Sequence, residues 1–230
     1  MEEGRHLFDR RRCTACGKCV SVCPSGALLM AGRFMSVEAV MQEILTDLVF
    51  YRRSGGGVTL SGGEPVVQHR FCRELLEACR SQSIHTALET AGHYPWEHLE
   101  ALLPVTDLVM MDIKHMDAER HLQGTGASNA RILQNAEHLA RFSAKPVIFR
   151  IPVIPSFNDR TEDILAIRRF VEGLRRCRNG GAPISLELLA YHPLGRDKYQ
   201  SLGMEDFSAH YRLLSRQRME ELREAARLEV

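Results

Sequence analysis

From Gly55 onward the chain alternates short apolar runs with longer stretches in which apolar residues recur every three or four positions. The first pattern marks buried strands and the second amphipathic helices, so the rhythm is that of successive βα units feeding a parallel sheet or barrel. Five units are readable. Strands are expected at 57–61, 86–90, 108–113, 147–154 and 185–191, and helices at 66–81, 96–103, 129–142, 161–176 and 207–227. Upstream, Ser36 reads as an N-cap, and Val37, Val40, Met41, Ile44 and Leu48 recur at helical spacing, predicting one helix over 37–51. Each strand runs into polar or glycine-rich sequence: SGGEP, ETAGH, DIKH, RIPVIPSFND and YHPLG. Ligands of parallel α/β folds sit at the carboxyl ends of the strands, so the five ends should converge on one mouth.

The amino-terminal part breaks this rhythm. Cys13, Cys16, Cys19 and Cys23 fall in CTACGKCVSVCP, four thiols at spacing x2, x2, x3 with proline next. That is the bacterial 4Fe-4S run; zinc sites more often use two separated Cys pairs. In two-cluster ferredoxins the fourth Cys of such a run serves the other cluster, so Cys23 either ligates this cluster or is left over from a second one. The small, apolar segment 25–34 is expected to shield the cluster, and Arg10, Arg11 and Arg12 to form a solvated arm. A ferredoxin-type module over 1–35 would thus precede an α/β domain over 36–230.

Composition narrows the partners. Lys plus Arg is 30 against 29 acidic residues, a net charge of +1, which gives no electrostatic case for nucleic acid or an anionic membrane. No run approaches the roughly 18 apolar residues of a membrane helix. Seven cysteines, four of them in a metal run, point to a reducing, cytoplasmic location.

Among residues outside the thiol run, Gly62 and Gly63 let a ligand approach the main chain or simply make a tight turn, and Glu64 offers a carboxylate to an ammonium or hydroxyl. Asp112 and Lys114 lie two apart at a strand end and project to one face, as a ligand site or as a local ion pair. Arg150, inside an apolar strand, needs an anionic partner, which a ligand carboxylate would supply. His192 and His93 alone among the histidines singled out stand at strand ends; His69, His98, His138 and His210 fall on predicted helices and are read as surface residues. Cys72, Cys79 and Cys177 are read as small buried apolar residues.

Joined in order, SGGGVTLSGGEPVVQ, ETAG, DIKHMD, HLQGTGASNARILQN, RIPVIPSFND and YHPLG resemble the glycyl-radical-enzyme activating enzymes, the pyruvate formate-lyase activating enzyme family of radical S-adenosylmethionine proteins. The resemblance covers 13–202. It implies a partial (β/α) barrel with five of the family's six βα units present, and a ferredoxin-like insert around the thiol run. It places Gly62, Gly63 and Glu64 at the methionine amino end of S-adenosylmethionine, Asp112, Ile113 and Lys114 at a cofactor-binding strand end, and Arg150 and His192 on the same site. Glu89, Thr90 and Asp112 match positions that hold a monovalent cation. The implied chemistry is reductive cleavage of S-adenosylmethionine to a 5'-deoxyadenosyl radical, which takes a hydrogen atom from a glycine of a pyruvate formate-lyase-like partner. A flavodoxin or ferredoxin would supply the electrons.

One departure qualifies this. The family holds its catalytic cluster through C-x3-C-x2-C, and that pattern occurs nowhere in the 230 residues. The expectation is therefore an amino-terminally incomplete activating enzyme, inactive alone, with the exposed parallel edge left by the missing unit promoting self-association. The alternatives are an electron-transfer module that keeps only the ferredoxin-type cluster, and a catalytically silent binding partner of a glycyl radical enzyme.

Overall fold

The computed structural model describes residues 8–178, 180–195, 199, 201–204 and 211–227. Its elements follow the order α1 (Lys18–Ser21), α2 (Val37–Leu45), α3 (Leu48–Ser54), β1 (Gly57–Leu60), α4 (His69–Ser81), β2 (His85–Thr90), α5 (Trp96–Glu100), β3 (Leu108–Asp112), α6 (Ala118–Thr125), α7 (Ala130–Phe142), β4 (Val147–Val153), α8 (Thr161–Cys177), β5 (Ile184–Ala190) and α9 (Arg216–Ala226). The five strands form one parallel sheet in the order β1-β2-β3-β4-β5, so β1 and β5 are its edges among the described residues. The expected strands all form, each within one residue of the boundaries read from the sequence.

Side-chain alternation gives the sheet two unlike faces. Leu88, Val109, Met111, Phe149, Ile151 and Val153 point one way and are fully buried. They share a core with Leu139 of α7, Ile164, Ile167 and Val171 of α8, and Leu222 of α9. A second, smaller core joins Met41 of α2 to Leu75 and Cys79 of α4 and to Ile84 beside β2. The other face carries Glu89, Met110, Asp112, Arg150 and Glu187, all half-buried or exposed. Helices thus seal one side of the sheet, and charge collects on the other. Gly57 permits the first pairing: a Cβ there would lie 1.9 Å from the His85 carbonyl oxygen.

Several helices differ from their expected form. The single helix over 37–51 is two, because Thr46 bonds back to the Glu43 carbonyl at 2.7 Å and Asp47 leaves helical geometry at φ −100°, ψ 6°. Ser36 does cap α2, accepting the Ala39 N–H. The last helix begins at Arg216 under a Ser215 cap, with 211–215 in neither helix nor strand; the start expected at 207 lies outside the described residues. α6 was not expected at all. Its buried residue is His121, not an aliphatic, and its Leu122 is 51% exposed, so it carries no apolar stripe to read. Cys177, expected inside, is exposed as the last residue of α8, whereas Cys72 and Cys79 are buried. The segment 25–34 does not form an apolar shield: Leu29 is 81% and Phe34 108% exposed.

Candidate functional site

The carboxyl ends of the parallel strands bring the expected residues to one rim, and the order of the sheet sets who meets whom. After β1, Gly62 takes φ +117°, a conformation that favours glycine, and neither Gly62 nor Gly63 has any atom within 4 Å of where a Cβ would sit. The two glycines therefore border open space and are not packed into the protein. Glu64 is tied inward. Its Oε1 accepts the Val66 N–H at 3.1 Å, its Oε2 the Ala91 N–H at 2.9 Å, and both oxygens lie 2.9 Å from Thr90 Oγ1. The carboxylate expected to face a ligand is thus a brace between β1 and β2.

After β3, Asp112 and Lys114 form the local ion pair, Nζ to Oδ2 at 2.8 Å, both about a quarter exposed or less. Between them Ile113 is buried in the core and donates its N–H to the Arg150 carbonyl, leaving only its own carbonyl for a ligand. Arg150 on β4 finds its anion inside the protein. Nη1 lies 3.0 Å from Glu89 Oε1 on β2 and Nε 3.8 Å from Glu187 Oε2 on β5. The partner expected from a ligand carboxylate is supplied by these two acids, with Nε itself making no hydrogen bond. His192 is exposed beyond β5, and His93 is exposed beyond β2. Glu89, Thr90 and Asp112 do not converge: Glu89 is paired with Arg150, Asp112 with Lys114, and Thr90 points to the opposite face of β2 to bond Glu64.

Three buried asparagines that sequence reasoning passed over hold the strand-end loops in shape. Asn135 donates to the Gly92 and Tyr94 carbonyls after β2, and Asn129 to the His115 and Met116 carbonyls after β3. Asn158 donates to the Lys114 and Pro152 carbonyls and accepts the Ile154 N–H, tying the β3 and β4 ends together. Asn135 occupies the core stripe of α7 between Ile132 and Leu139, a polar residue in an apolar position that was the available signal. A charge cluster gathers around the buried Asp163 and His115 at the start of α8. Asp163 receives Arg120 at 2.9 Å and Arg160 at 2.9 and 3.0 Å, and stands 3.5 Å from His115 Nε2. Burial pushes the Asp163 carboxyl up, but the two guanidiniums overcome it and leave the group below its ordinary range. Burial, helped by Arg120, holds the His115 pKa down. Two of the helical histidines read as surface residues are half-buried and stacked, His69 on His98 at 3.9 Å between ring centroids. His138 is half-buried as well, and His210 lies outside the described residues.

The amino-terminal thiols are accessible: Cys13, Cys16 and Cys19 are exposed and Cys23 half-buried. Among the described residues no three His, Cys, Asp or Glu side chains are already gathered as a metal site. The donor chemistry nonetheless fits a soft-metal cluster. Cys13 Sγ accepts the Ala15 N–H at 3.3 Å, and hydrogen bonds from the Lys18 amide and the Ser25 hydroxyl lower the thiol pKa of Cys16 and Cys23, respectively. Ala15 and Gly17 both take positive φ, which turns the loop around that first thiol. Arg10, next to the run, donates to the Ser201 carbonyl, so the thiol segment is tethered to the chain that follows β5.

The Radical SAM superfamily matches residues 10–171 of this chain. An isethionate sulfite-lyase activating enzyme of Oleidesulfovibrio alaskensis is 44% identical over 200 residues, covering 86% of this chain; the chain spans 62% of that relative's length, less than two thirds. A (2S)-3-sulfopropanediol sulfolyase activating enzyme of Bilophila wadsworthia is 45% identical, with 87% of this chain and 75% of the relative covered. Among solved structures, a domain of a pyruvate-formate lyase-activating enzyme from Bacteroides vulgatus superposes with a TM-score of 0.59 at 26% identity, over 74% of this chain and 92% of that one. No helix among the described residues is long and apolar enough to cross a membrane.

Proposed function

Since the chain belongs to the radical SAM superfamily and, within it, to the glycyl-radical-enzyme activating enzymes, we propose that it supplies the S-adenosylmethionine cradle and an electron-relay cluster for placing a radical on a glycine of a partner enzyme. The observation that carries this reading is the open space at Gly62 and Gly63 on the same rim as the Asp112–Lys114 and Arg150–Glu89 pairs. A zwitterionic amino acid attached to a nucleoside needs backbone dipoles, an anion and a cation, and the strand ends along that rim carry all three. In this assignment the Gly62–Gly63 main chain meets the amino-acid end, Lys114 and Arg150 supply positive charge, Asp112 and the Ile113 carbonyl accept hydrogen bonds, and the exposed His192 closes the β5 side.

Cys13, Cys16, Cys19 and Cys23 would hold a 4Fe-4S cluster in a ferredoxin-type module over 1–35, filled by a flavodoxin or ferredoxin in the cytoplasm. Such a cluster supplies one electron at a time, and cleavage of S-adenosylmethionine supplies the radical. The thiols of the catalytic cluster are not among these 230 residues, because C-x3-C-x2-C is absent and Cys72, Cys79 and Cys177 sit apart on α4 and α8. We therefore assign no reducing step to this chain by itself, and infer that the 230-residue form is inactive alone. The relatives lend no support to an independent electron carrier or to a silent binding partner, and an isethionate sulfite-lyase or a (2S)-3-sulfopropanediol sulfolyase is the first partner class to test.

The test is anaerobic reconstitution with iron and sulfide, iron counting, and electron paramagnetic resonance of the reduced protein with and without S-adenosylmethionine. About four irons per chain, with a signal indifferent to S-adenosylmethionine, is the expected result. A signal that shifts on adding it would overturn the assignment of a relay cluster only. Failure to retain iron would overturn the relay itself.

A further inference from the structure

We propose that Glu64 and Thr90 form a strap that fixes the Gly62–Gly63 main chain, which makes Thr90 a positioning residue for the amino-acid end of the ligand. The proposal rests on the S-adenosylmethionine reading of the rim and deepens it.

Segment 61–63 is exposed and packs against nothing that a Cβ at Gly62 or Gly63 would touch. Its position is set upstream by the last rung of β1, where Leu60 pairs with Leu88, and downstream by the Glu64 carboxylate and by the buried Pro65 and Val66, with the Pro65 carbonyl accepting the Cys72 thiol. The donors to that carboxylate come from two directions. The Val66 N–H is local and caps the short turn Pro65–Gln68, whereas the Ala91 N–H and the Thr90 hydroxyl belong to the end of β2. Of the contacts that Glu64 makes, those to β2 register the glycine loop against the neighbouring strand end.

Proton counting shows how Thr90 itself is held. A threonine hydroxyl has one proton to donate, and here it is shared between the two Glu64 oxygens, each 2.9 Å away. Tyr94 Oη, 3.0 Å from Thr90 Oγ1, must then be the donor in that contact, and the Gly92 N–H donates to the same oxygen at 3.0 Å. Thr90 and Tyr94 are both 3% exposed, and Asn135 clamps the intervening loop through the Gly92 and Tyr94 carbonyls. The relay runs from Tyr94 through Thr90 to Glu64, all donors aimed at one carboxylate. With three protons directed at it, the Glu64 carboxylate is turned toward Val66 and the end of β2, and the backbone of Gly62 and Gly63 is what borders the open space.

Two stable probes separate this from a merely structural role. S-adenosylhomocysteine keeps the amino-acid end, and 5'-methylthioadenosine lacks it. Titrated calorimetrically against the full chain, Thr90→Val is expected to weaken S-adenosylhomocysteine at least tenfold while leaving 5'-methylthioadenosine within twofold, and Thr90→Ser to restore the wild-type ratio. A Thr90→Val protein that binds S-adenosylhomocysteine like wild type, or loses both probes equally, overturns the strap while leaving the site assignment standing. Wild-type protein that binds neither probe overturns the reading of the rim, and the strap with it.

Discussion

Arg150 on β4 reaches over Met110 of β3 to place Nη1 3.0 Å from Glu89 Oε1 on β2, two strands away. The span is roughly 9–10 Å between non-adjacent strands, too far for a short side chain and suited to a guanidinium. The pair lies on the open face, with Arg150 15% and Glu89 35% exposed, so solvent screens it and its net worth is modest. Arg150→Met is expected to lower unfolding free energy by about 1–2 kcal/mol in urea titrations. If Arg150 also serves the ligand, the same variant loses S-adenosylhomocysteine affinity more than Glu89→Gln does. Equal losses would mean the pair acts only as a sheet tie.

Gly57 and Gly63 lie six residues apart and should respond oppositely to the same change. A Cβ at Gly57 meets the backbone carbonyl of His85 at 1.9 Å, and backbone cannot step aside without parting β1 from β2. A Cβ at Gly63 meets nothing within 4 Å. Gly57→Ala should therefore cost about 3 kcal/mol or more in stability, above the usual range for point changes. Gly63→Ala should keep the melting temperature and weaken ligand binding, because the methyl group enters the space assigned to the ligand. A Gly63→Ala protein with unchanged affinity would put the ligand elsewhere.

The charge cluster around Asp163 and His115 should make stability fall with acid in two steps. His115 has its pKa held below the free value of about 6.5, so the unfolded chain binds the proton first, and stability is lost as pH drops through that value. Asp163 is likewise depressed, so its contribution is present above about 4 and lost as pH falls toward its folded pKa. Both signs agree. His69, depressed by burial and by His98 and Arg70, adds to the upper step. Urea midpoints between pH 7.5 and 5 should decline for wild type and decline less for His115→Gln; an identical pH dependence in the variant would remove His115 from the cluster's titration.

Strands and mouth were legible because β-propensity and burial on the helix side leave a clean apolar signal, as in Phe149 and Ile151. The division of labour within the mouth was not. SGGEP shows a carboxylate beside two glycines, but only the fold brings Thr90 and Ala91 within 2.9 Å of Glu64 and turns a ligand contact into a brace. Arg150 announced a need for an anion without saying that Glu89 and Glu187 meet it, since strand order is a long-range property. α6 escaped notice because its inward residue is a histidine bonded to the Ala127 carbonyl, and periodicity arguments read only apolar positions. The thiol run stands apart: its spacing is informative by itself, and its four thiols lie outside the sheet.

That separation makes the thiols the simplest part to test. The thiolate is the reactive form, so alkylation reports exposure and pKa together. Cys72 is buried, and burial together with the Glu64 charge pushes its thiol up to about 11; Cys79 is buried and raised by the same desolvation. Cys13, Cys16, Cys19 and Cys177 are exposed and Cys23 half-buried. Native iodoacetamide labelling at mildly alkaline pH, read by peptide mass spectrometry, should therefore modify Cys13, Cys16, Cys19, Cys23 and Cys177 in metal-free protein and spare Cys72 and Cys79. After reconstitution with iron and sulfide, Cys177 alone should label, because metal-bound thiolates are withdrawn from the reagent. Continued labelling of Cys23 in the loaded protein would show that the fourth thiol of the run does not ligate this cluster, and the closed four-thiol set would give way to a three-thiol one.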